Sequence, residues 1–326
     1  MTVTFIGLKA GLFTGQGAAV SGEVMFESLD TDEGVAGSGQ EPVARRRDWS
    51  SVMSWLPQRP ANAHKGRFGH VLVVAGDRGF GGAGLLAAEA AVRSGAGLVS
   101  LATRPEHVTA ALARCPSIMV HGLIHGSELP PLLDAASVIV CGPGIGQSAW
   151  GQQMLEQVVA SGKPRVLDAD ALNLLSRRVA IPADNHILTP HPGEAARLLD
   201  CLVPEVEADR MAAAKRLQAM YGGTILLKGA GTIIASGDEV VDIISGSNPG
   251  MATGGMGDVL SGIIGALYGQ LNDANKAAVV GASVHLSAAD TASETRGFMG
   301  LIPNDVIDSL AQVFRESEHN RVWESS

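Results

Sequence analysis

The chain contains 326 residues, of which 46% are hydrophobic, 4% are aromatic and 41 are glycine, a composition typical of an α/β fold with many tight turns. Its net charge of −9 at pH 7 argues against a nucleic-acid-binding surface, because such surfaces cluster lysines and arginines. The three cysteines lie far apart without CxxC spacing, which argues against a disulfide framework or a zinc site. No apolar run has the length of a membrane span and no signal-peptide pattern is present, so we predict a cytoplasmic location and no membrane association.

The first sixty residues predict two short strands followed by a linker. Residues 2–6 and 22–26 are rich in β-branched and aromatic side chains, but two strands of this size cannot bury a core by themselves. We expect them either to pair as a hairpin or to stay mobile. Residues 30–40 are rich in Gly, Ser, Asp and Glu and predict a linker, and the basic run Arg45–Arg47 is interpreted as a solvated part of it.

From Gly69 onward, apolar strands alternate with helical patterns. The predicted strands are residues 70–76, 98–103, 138–141, 165–168 and 187–189, and the predicted helices are 83–93, 106–114, 150–160, 169–175, 193–199 and 209–220. This alternation predicts a mostly parallel sheet with helices on both faces. Three strands in quick succession then predict an antiparallel edge, at 224–228, 232–235 and 240–244. Two long helices at 256–268 and 272–295, and one after Pro303, complete the prediction.

The most informative segment is the glycine run that opens the helix predicted at residue 256. Glycines let backbone N–H groups approach an anion closely, and the free amides and positive dipole end of a helix complete an anion pocket. Gly254, Gly255 and Gly257 therefore predict an anion hole for a phosphoryl group. Asp258 adds a carboxylate that can take a proton from an attacking hydroxyl. A glycine-rich turn with only a structural role is the alternative.

Two other glycine-rich turns follow predicted strands, at residues 77–83 and 141–146. The first is compatible with a tight turn and close helix–strand packing, and the second, with three glycines at spacing two, departs from GxGxxG. Neither is a Walker A loop, because the Gly162–Lys163 pair precedes proline rather than Ser or Thr. Backbone packing against a ligand is the functional interpretation of the second turn.

A histidine and a lysine end two further strands. Pro190 and Pro192 restrict the backbone around His191, which favours a ligand contact at the carboxyl end of a strand. Lys228 begins the segment 228–232, which is either a hairpin turn with a surface lysine or a nucleotide contact. In parallel sheets ligands bind beyond the carboxyl ends of the strands, where these segments are predicted to lie.

Taken together, six segments resemble, in order, the ADP/ATP-dependent NAD(P)H-hydrate dehydratase family: 77–97, 142–146, 168–173, 189–194, 228–232 and 254–258. The resemblance covers residues 61–315. It implies a ribokinase-like three-layer fold and repair of (6S)-NAD(P)HX, the hydrated form of reduced nicotinamide nucleotides. ADP, or ATP, would phosphorylate the ring hydroxyl, and elimination of phosphate would regenerate NAD(P)H. This is carbon–oxygen lyase chemistry.

The resemblance also implies roles for individual residues. NAD(P)HX would contact Ala83, Gly144 and His191, and Asp258 would face the hydrated ring as the base. The nucleotide would be held by Lys228, Gly229, Ala230, Gly231, Thr232 and Gly257. Mg²⁺ is expected on the phosphates, with its protein ligands unknown.

The resemblance divides the chain into four parts. Residues 1–30 resemble the last strands of an NAD(P)HX epimerase domain without its catalytic part, so no epimerase activity is expected. A linker (31–60), the dehydratase domain (61–315) and a tail (316–326) follow, and removal of residues 1–40 is expected to be nearly neutral. We expect a homo-oligomer whose partners are NADHX or NADPHX and ADP, with no nucleic acid. The alternatives are a kinase of the same fold that phosphorylates a small alcohol, and a nucleotide-binding module without turnover.

Overall fold

A ten-stranded sheet forms the centre of the computed structural model, which describes residues 1–31, 34, 37, 39, 41–180, 182–237 and 240–324. Its strands are β3 (Ala44–Arg47), β4 (His70–Val74), β5 (Leu98–Thr103), β6 (Met119–Gly122), β7 (Val138–Cys141), β8 (Arg165–Leu167), β9 (His186–Leu188), β10 (Thr224–Leu227), β11 (Ile233–Ala235) and β12 (Val241–Ile244). Their order across the sheet is β3-β12-β11-β10-β9-β8-β7-β4-β5-β6. A separate pair, β1 (Thr2–Phe5) and β2 (Val24–Glu27), lies near the N-terminus.

Helices cover both faces of the large sheet, as the alternating sequence pattern predicts. The helices of the described chain are α1 (Gly15–Val20), α2 (Trp49–Val52), α3 (Gly81–Arg93), α4 (Val108–Arg114), α5 (Pro130–Ala135), α6 (Ala149–Ala160), α7 (Asp170–Leu175), α8 (Pro192–Leu199), α9 (Val203–Ala208), α10 (Arg210–Tyr221), α11 (Met256–Leu271), α12 (Ala274–Arg296) and α13 (Pro303–Glu324). The sequence prediction lacked α1, α5 and α9. Within the described part of the chain, no helix is both long and apolar enough to cross a membrane.

Alternate strand residues supply two separate cores. In β4, Val71 and Val73 belong to a core shared with α3, α11, α12 and α13, whereas Leu72 and Val74 face a core built with helices α5–α10. Helix α11 lies close to its neighbours because glycines, which have no side chain, occupy the points of contact. A Cβ at Gly262 would lie 2.0 Å from the carbonyl oxygen of Ala87 on α3.

The predicted antiparallel strands are present, but they do not form the edge of the sheet. Strand β3 pairs in parallel with β12 outside them, so the interpretation of Arg45–Arg47 as a solvated linker is wrong. The physical reason is that Arg46 and Arg47 donate to Ser245 and Asp242, partners that lie far along the chain at β12. The guanidinium of Arg47 lies 2.7 Å from the buried carboxylate of Asp242 and over the ring of Trp55, and Arg46 lies over Phe13.

The N-terminal strands pair in parallel, so the expected hairpin is wrong. Thr2 is opposite Val24, and α1 lies between the two strands in sequence and supplies the connection that a parallel pair requires. The intervening segment docks on the large domain. Phe13 is 9% exposed within a core of the domain, and the N–H of Gly15 donates to the carbonyl oxygen of Ala230 at 2.9 Å. Much of the predicted linker 31–40 lies outside the described residues.

Two further parts of the predicted division disagree with the structure. Val52 of α2 is fully buried and Trp49 packs edge-on against Phe314, so the segment predicted as the end of a linker belongs to the packed domain. The tail predicted from residue 316 continues α13 as far as Glu324. That residues 1–30 derive from an epimerase domain stays a prediction.

Candidate active site

Four neighbouring parallel strands end at one edge of the sheet. Strands β7, β8, β9 and β10 lead directly into Gly142, Asp168, Thr189 and Lys228. Because parallel strands present their carboxyl ends at the same edge, segments separated in sequence converge there. The first turn of α11 carries Asp258 to this cluster, because a Cβ at the preceding residue, Gly257, would lie 3.3 Å from Lys228 Nζ and 3.6 Å from Asp168 Oδ2.

The start of α11 has the geometry that the glycine run predicts. Gly255 is the residue before the helix and has a φ of 96°, and a Cβ there would lie 2.8 Å from Leu86 and 2.9 Å from Pro303. In the described chain no side chain caps this helix. The N–H of Met256 donates to the Thr253 carbonyl oxygen, and the amides of Gly257 and Asp258 are the ones available to an anion. Gly254 differs from Gly255, because a Cβ there would contact no described atom within 4 Å.

Lys228 and Asp168 form an ion pair at the floor of the site. Lys228 Nζ donates to Asp168 Oδ1 at 2.8 Å and lies 3.8 Å from Glu194 Oε2. The Ser261 hydroxyl, one turn beyond Asp258 on α11, donates to Asp168 Oδ2 at 2.7 Å. Burial disfavours the ammonium form, but the charges of Asp168 and Glu194 outweigh it and raise the pKa of Lys228. The lysine is therefore held as a cation at the site.

Asp258 has the properties of a base that works near neutral pH. Burial, followed by the charge of Asp168, raises the pKa of Asp258 from 3.8 to about 7, although Lys228 acts in the opposite direction. A carboxyl group with such a pKa is well matched to proton transfer at neutral pH. Its position in the first turn of α11 places the carboxylate beside the free helix amides.

His191 is fixed by its own helix as well as by its flanking prolines. Its Nδ1 accepts from the N–H groups of Gly193 at 2.9 Å and Glu194 at 3.4 Å, which caps α8. Glu194 returns a hydrogen bond by accepting from the His191 N–H at 2.8 Å. Burial, followed by the charge of Lys228, lowers the pKa of His191, so its ring is neutral at pH 7. Both the structural and the ligand-contact interpretations of His191 are compatible with this geometry.

The turn after β8 contains a strained residue. Ala169 has φ 48° and ψ −118°, a conformation that costs a non-glycine residue about 1–3 kcal/mol. This turn directs two carboxylates to different partners: Asp168 to Lys228, and Asp170 to the N–H of Gly146 at 3.0 Å. Strain of this kind is typical of functional sites.

A cavity of about 550 Å³, within the size range of small-molecule sites, lies beside the ion pair. Most predicted nucleotide residues line it, namely Lys228, Gly229, Ala230, Thr232 and Gly257. His191, predicted for the other ligand, also lines it. Gly231 does not appear in the wall: a Cβ there would meet the carbonyl of Phe13 at 1.7 Å, so this residue faces the N-terminal segment.

Ala83 and Gly144 lie together, but outside the lining of this cavity. A Cβ at Gly144 would be 3.2 Å from the Ala83 Cβ, and the Gly144 carbonyl accepts from the Asp77 N–H at 2.6 Å. The Asp170 carboxylate accepts a hydrogen bond from the N–H of Gly146, two residues beyond Gly144. Its negative charge also contributes to the raised pKa of Asp258. The structure thus places Ala83 and Gly144 apart from the predicted residues that line the cavity.

A buried arginine supports the segment 228–232 from behind. Arg210, 4% exposed, donates to the carbonyl oxygen of Lys228 at 3.0 Å and to the Thr14 hydroxyl at 3.1 Å, and Thr14 in turn donates to the Gly231 carbonyl at 2.9 Å. The sequence prediction assigned no role to Arg210, Ser261 or the carboxylates of Asp168 and Glu194. An aspartate directly after an apolar strand was the available signal for Asp168.

The sequence model of a family described as NAD(P)H-hydrate dehydratase matches residues 71–312, a range that includes every predicted site residue. The chain belongs to the NAD(P)H-hydrate dehydratase family. It is 46% identical over 310 residues to the bifunctional NAD(P)H-hydrate repair enzyme Nnr of Coxiella burnetii, which covers 95% of this chain and 63% of that protein. The chain spans about 60% of the length of the bifunctional relatives that it matches.

Solved structures confirm the ribokinase-like fold predicted for this member of the dehydratase family. A ribokinase-like superfamily protein of Enterococcus faecalis is similar with a TM-score of 0.79 and 30% identity, over 85% of this chain and 98% of that one. An ADP/ATP-dependent NAD(P)H-hydrate dehydratase of Bacillus subtilis, co-crystallised with ATP and Mg²⁺, is similar with a TM-score of 0.75 and 30% identity, over 83% and 98%.

Proposed function

We propose that this chain dehydrates (6S)-NAD(P)HX to NAD(P)H at the expense of ADP or ATP. The observation that carries the proposal is the position of Asp258, a carboxyl group with a pKa of about 7, in the uncapped first turn of α11 beside Lys228. Membership of the dehydratase family and the likeness to a nucleotide-dependent dehydratase along almost its whole length support the same reaction.

The nucleotide phosphates would lie against the start of α11. Backbone amides near Gly257 and the ammonium of Lys228 would stabilise negative charge on the transferred phosphoryl group, and stabilisation by such fixed groups supplies most of the rate in phosphoryl transfer. Asp168 would act indirectly, because its ion pair and its bond from Ser261 hold Lys228 in place. Gly254 and Gly255 would shape the turn that exposes the amides.

Asp258 would act as the base. It would take the proton of the ring hydroxyl as that oxygen attacks the terminal phosphorus of the nucleotide, forming a phosphate ester and releasing the shortened nucleotide. The lone pair of the ring nitrogen then expels inorganic phosphate as the ester C–O bond breaks, and loss of a proton from the adjacent ring carbon to the phosphate or to water restores the double bond of NAD(P)H. Ala83 and Gly144 would contact the hydrated nucleotide. They lie together near Gly146, whose N–H donates to the Asp170 carboxylate.

The site fits a Mg²⁺ ion that is held mainly by phosphates. Among the described residues no group of three His, Cys, Asp or Glu side chains could hold a metal by itself. Mg²⁺ in nucleotide enzymes needs only one or two protein carboxylates, with phosphates and water as the other ligands. The two carboxylates beside Lys228, those of Asp168 and Glu194, face its ammonium and do not line the cavity, so no protein ligand is assigned to the ion. The ion would neutralise phosphate charge when bound.

Incubation of the purified protein with NADHX, Mg²⁺ and either ADP or ATP tests the proposal. We expect the absorbance of NADH to return in step with release of inorganic phosphate. Accumulation of a stable phosphate ester would favour a kinase of the same fold. Nucleotide binding without turnover would favour a non-catalytic module. The comparison of ADP with ATP, and of NADHX with NADPHX, would also establish the preferred substrates.

Gly257→Ala is expected to weaken ADP binding about tenfold while the fold is retained. The added methyl group would lie 3.3 Å from Lys228 Nζ and 3.6 Å from Asp168 Oδ2, between the helix amides and the ammonium. Calorimetry measures the affinity. Gly269→Ala, near the other end of the same helix, is the matched control, because its methyl group would lie no closer than 3.7 Å to a neighbouring atom. Equal ADP affinities for the two variants would mean that the turn has only a structural role.

His191→Ala is expected to raise the Michaelis constant for NADHX about tenfold and that for ADP less, because the ring is fixed in the site. The substitution also removes the cap of α8, which contributes about 1 kcal/mol. His191→Asn separates the two effects, since asparagine can cap the helix but lacks the imidazole. We expect it to restore the melting temperature and not the Michaelis constant. An effect on ADP alone would assign His191 to the nucleotide.

Two further properties stay predictions. We propose that the protein self-associates, and exposed apolar side chains on the N-terminal strands, including Phe5 and Phe26, support this. A single monomeric species in sedimentation velocity would exclude it. The second property is a cytoplasmic location, which also stays a prediction.

A further inference from the structure

One polar side chain in the wall of the cavity has no part in the chemistry proposed above. His285 lies in the middle of α12 and is 5% exposed, and its Nε2 has no hydrogen-bond partner among the described residues. It lines the same cavity as Lys228 and Gly257. Buried polar groups nearly always have a partner, so a histidine with an unpaired ring nitrogen in the wall of a ligand cavity indicates a partner on the ligand.

The surroundings of His285 differ from those of the phosphate elements. The cavity wall near it in sequence contains Ala282 and Leu286, and the apolar side chains of Ile244 and Leu260 also line the cavity. Apolar walls suit the flat faces of a nucleobase, whereas Lys228 and the amides of α11 suit phosphates. The cavity therefore has an anion-binding end and an apolar part.

The charge state of His285 excludes a role as a phosphate-binding cation. Burial, followed by the positive charge of Lys228, lowers the pKa of His285 to about 4. At neutral pH the ring is therefore uncharged and offers one N–H donor and one acceptor nitrogen. A neutral hydrogen-bonding group in an apolar wall matches the edge of a base.

We propose that the imidazole of His285 forms a hydrogen bond with the base of the bound nucleotide and so selects the nucleobase that the cavity accepts. The inference rests on the proposed nucleotide-dependent reaction, because it takes this cavity as the nucleotide site. It adds a specificity-determining contact on α12, an element that carries none of the predicted site residues. The ligand class is a nucleoside diphosphate or triphosphate whose base presents a ring nitrogen or exocyclic group to the imidazole.

Calorimetric titration of wild type, His285→Leu and His285→Gln with ADP, GDP, CDP, 2′-deoxy-ADP and pyrophosphate tests the proposal. For His285→Leu we expect ADP affinity to fall tenfold or more, about 1.4 kcal/mol, and the preference for ADP over the other bases to be largely lost. Pyrophosphate affinity should not change, because the phosphate elements are untouched. His285→Gln keeps a donor and should restore part of the ADP affinity. Ser287→Ala, on the same helix and outside the cavity lining, is the control.

The outcomes separate the inference from the function on which it rests. Wild-type protein that binds none of the nucleotides would overturn both. Wild-type ADP binding that His285→Leu leaves unchanged would overturn only the role of His285. Loss of discrimination against 2′-deoxy-ADP, with base selectivity retained, would assign the contact to the ribose and also overturn it. Because a buried substitution can destabilise the fold, affinities are measured well below the melting temperature of each variant, and a loss of pyrophosphate binding would show a general disruption that contradicts the proposal.

Discussion

Replacement of Asp258 by asparagine is expected to lower turnover about a hundredfold or more, while ADP still binds. Asparagine has the size and polarity of aspartate but cannot take a proton from the ring hydroxyl. The phosphate elements, Lys228 and the amides near Gly257, remain in place. Turnover is measured by the return of NADH absorbance, and ADP affinity by calorimetry. Near-normal turnover would remove Asp258 from the mechanism.

The neighbouring Asp170→Asn variant is the matched control. Its carboxylate bonds the Gly146 N–H and its charge contributes to the raised pKa of Asp258, yet the proposed mechanism gives it no proton to move. We expect turnover within about threefold of wild type and an acid limb of the pH profile shifted to lower pH, because a negative neighbour of the base is removed. A loss as large as that of Asp258→Asn would make Asp170 the better candidate for the base.

The raised pKa also predicts how activity and stability depend on pH. A base must be ionised, so kcat/KM should fall as the pH drops below about 7, where Asp258 becomes protonated. For stability the sign is opposite, because a carboxyl group whose folded-state pKa exceeds its unfolded value of 3.8 destabilises the fold when ionised. Asp258→Asn should therefore raise the melting temperature above pH 7, by a gain that shrinks as the pH falls towards 4. An unchanged melting temperature at alkaline pH would contradict the raised pKa.

Deletion of residues 1–40 is expected to weaken ADP binding at least tenfold and to lower the melting temperature by about 5 °C or more. This revises the near-neutral result expected from the sequence. The deletion removes Phe13 from the core, a loss of about 2 kcal/mol, and removes the donors to the carbonyls of Ala230 and Gly231. It also removes the Thr14 hydroxyl that accepts from Arg210. The segment that is predicted to hold the nucleotide would lose its support.

A single substitution tests the same support without removing the strands. Thr14→Val preserves shape but removes the hydroxyl between Arg210 and Gly231, so we expect ADP affinity to fall about threefold to tenfold. Thr31→Val, which removes a hydroxyl that donates to the nearby Ser28 carbonyl oxygen, is the control and should bind ADP as wild type does.

For the deletion of residues 1–40, an ADP affinity within twofold of wild type would show that the dehydratase domain begins after residue 40.

The sequence by itself determined the parts of the site that depend on local pattern. Glycine spacing and the apolar run after it placed the start of α11 at Met256, where the structure has it, and placed Asp258 in its first turn. Apolar strands followed by polar residues identified the segments that meet at the carboxyl edge of the sheet. These features are encoded within a few neighbouring residues, since turns, helix starts and buried strands depend mainly on local side chains.

Only the tertiary structure decided which of these segments touch. Lys228 and Asp168 are 60 residues apart and Ser261 and Asp168 are 93 apart, so no local pattern indicates their bonds or the resulting pKa of Asp258. Residues 45–47 predicted a charged linker, yet they belong to β3, the strand at one edge of the ten-stranded sheet. Arg46 and Arg47 donate to side chains nearly two hundred residues away. Pairing of distant strands and burial of charge depend on sheet order and packing, which side chains far apart in the sequence determine together.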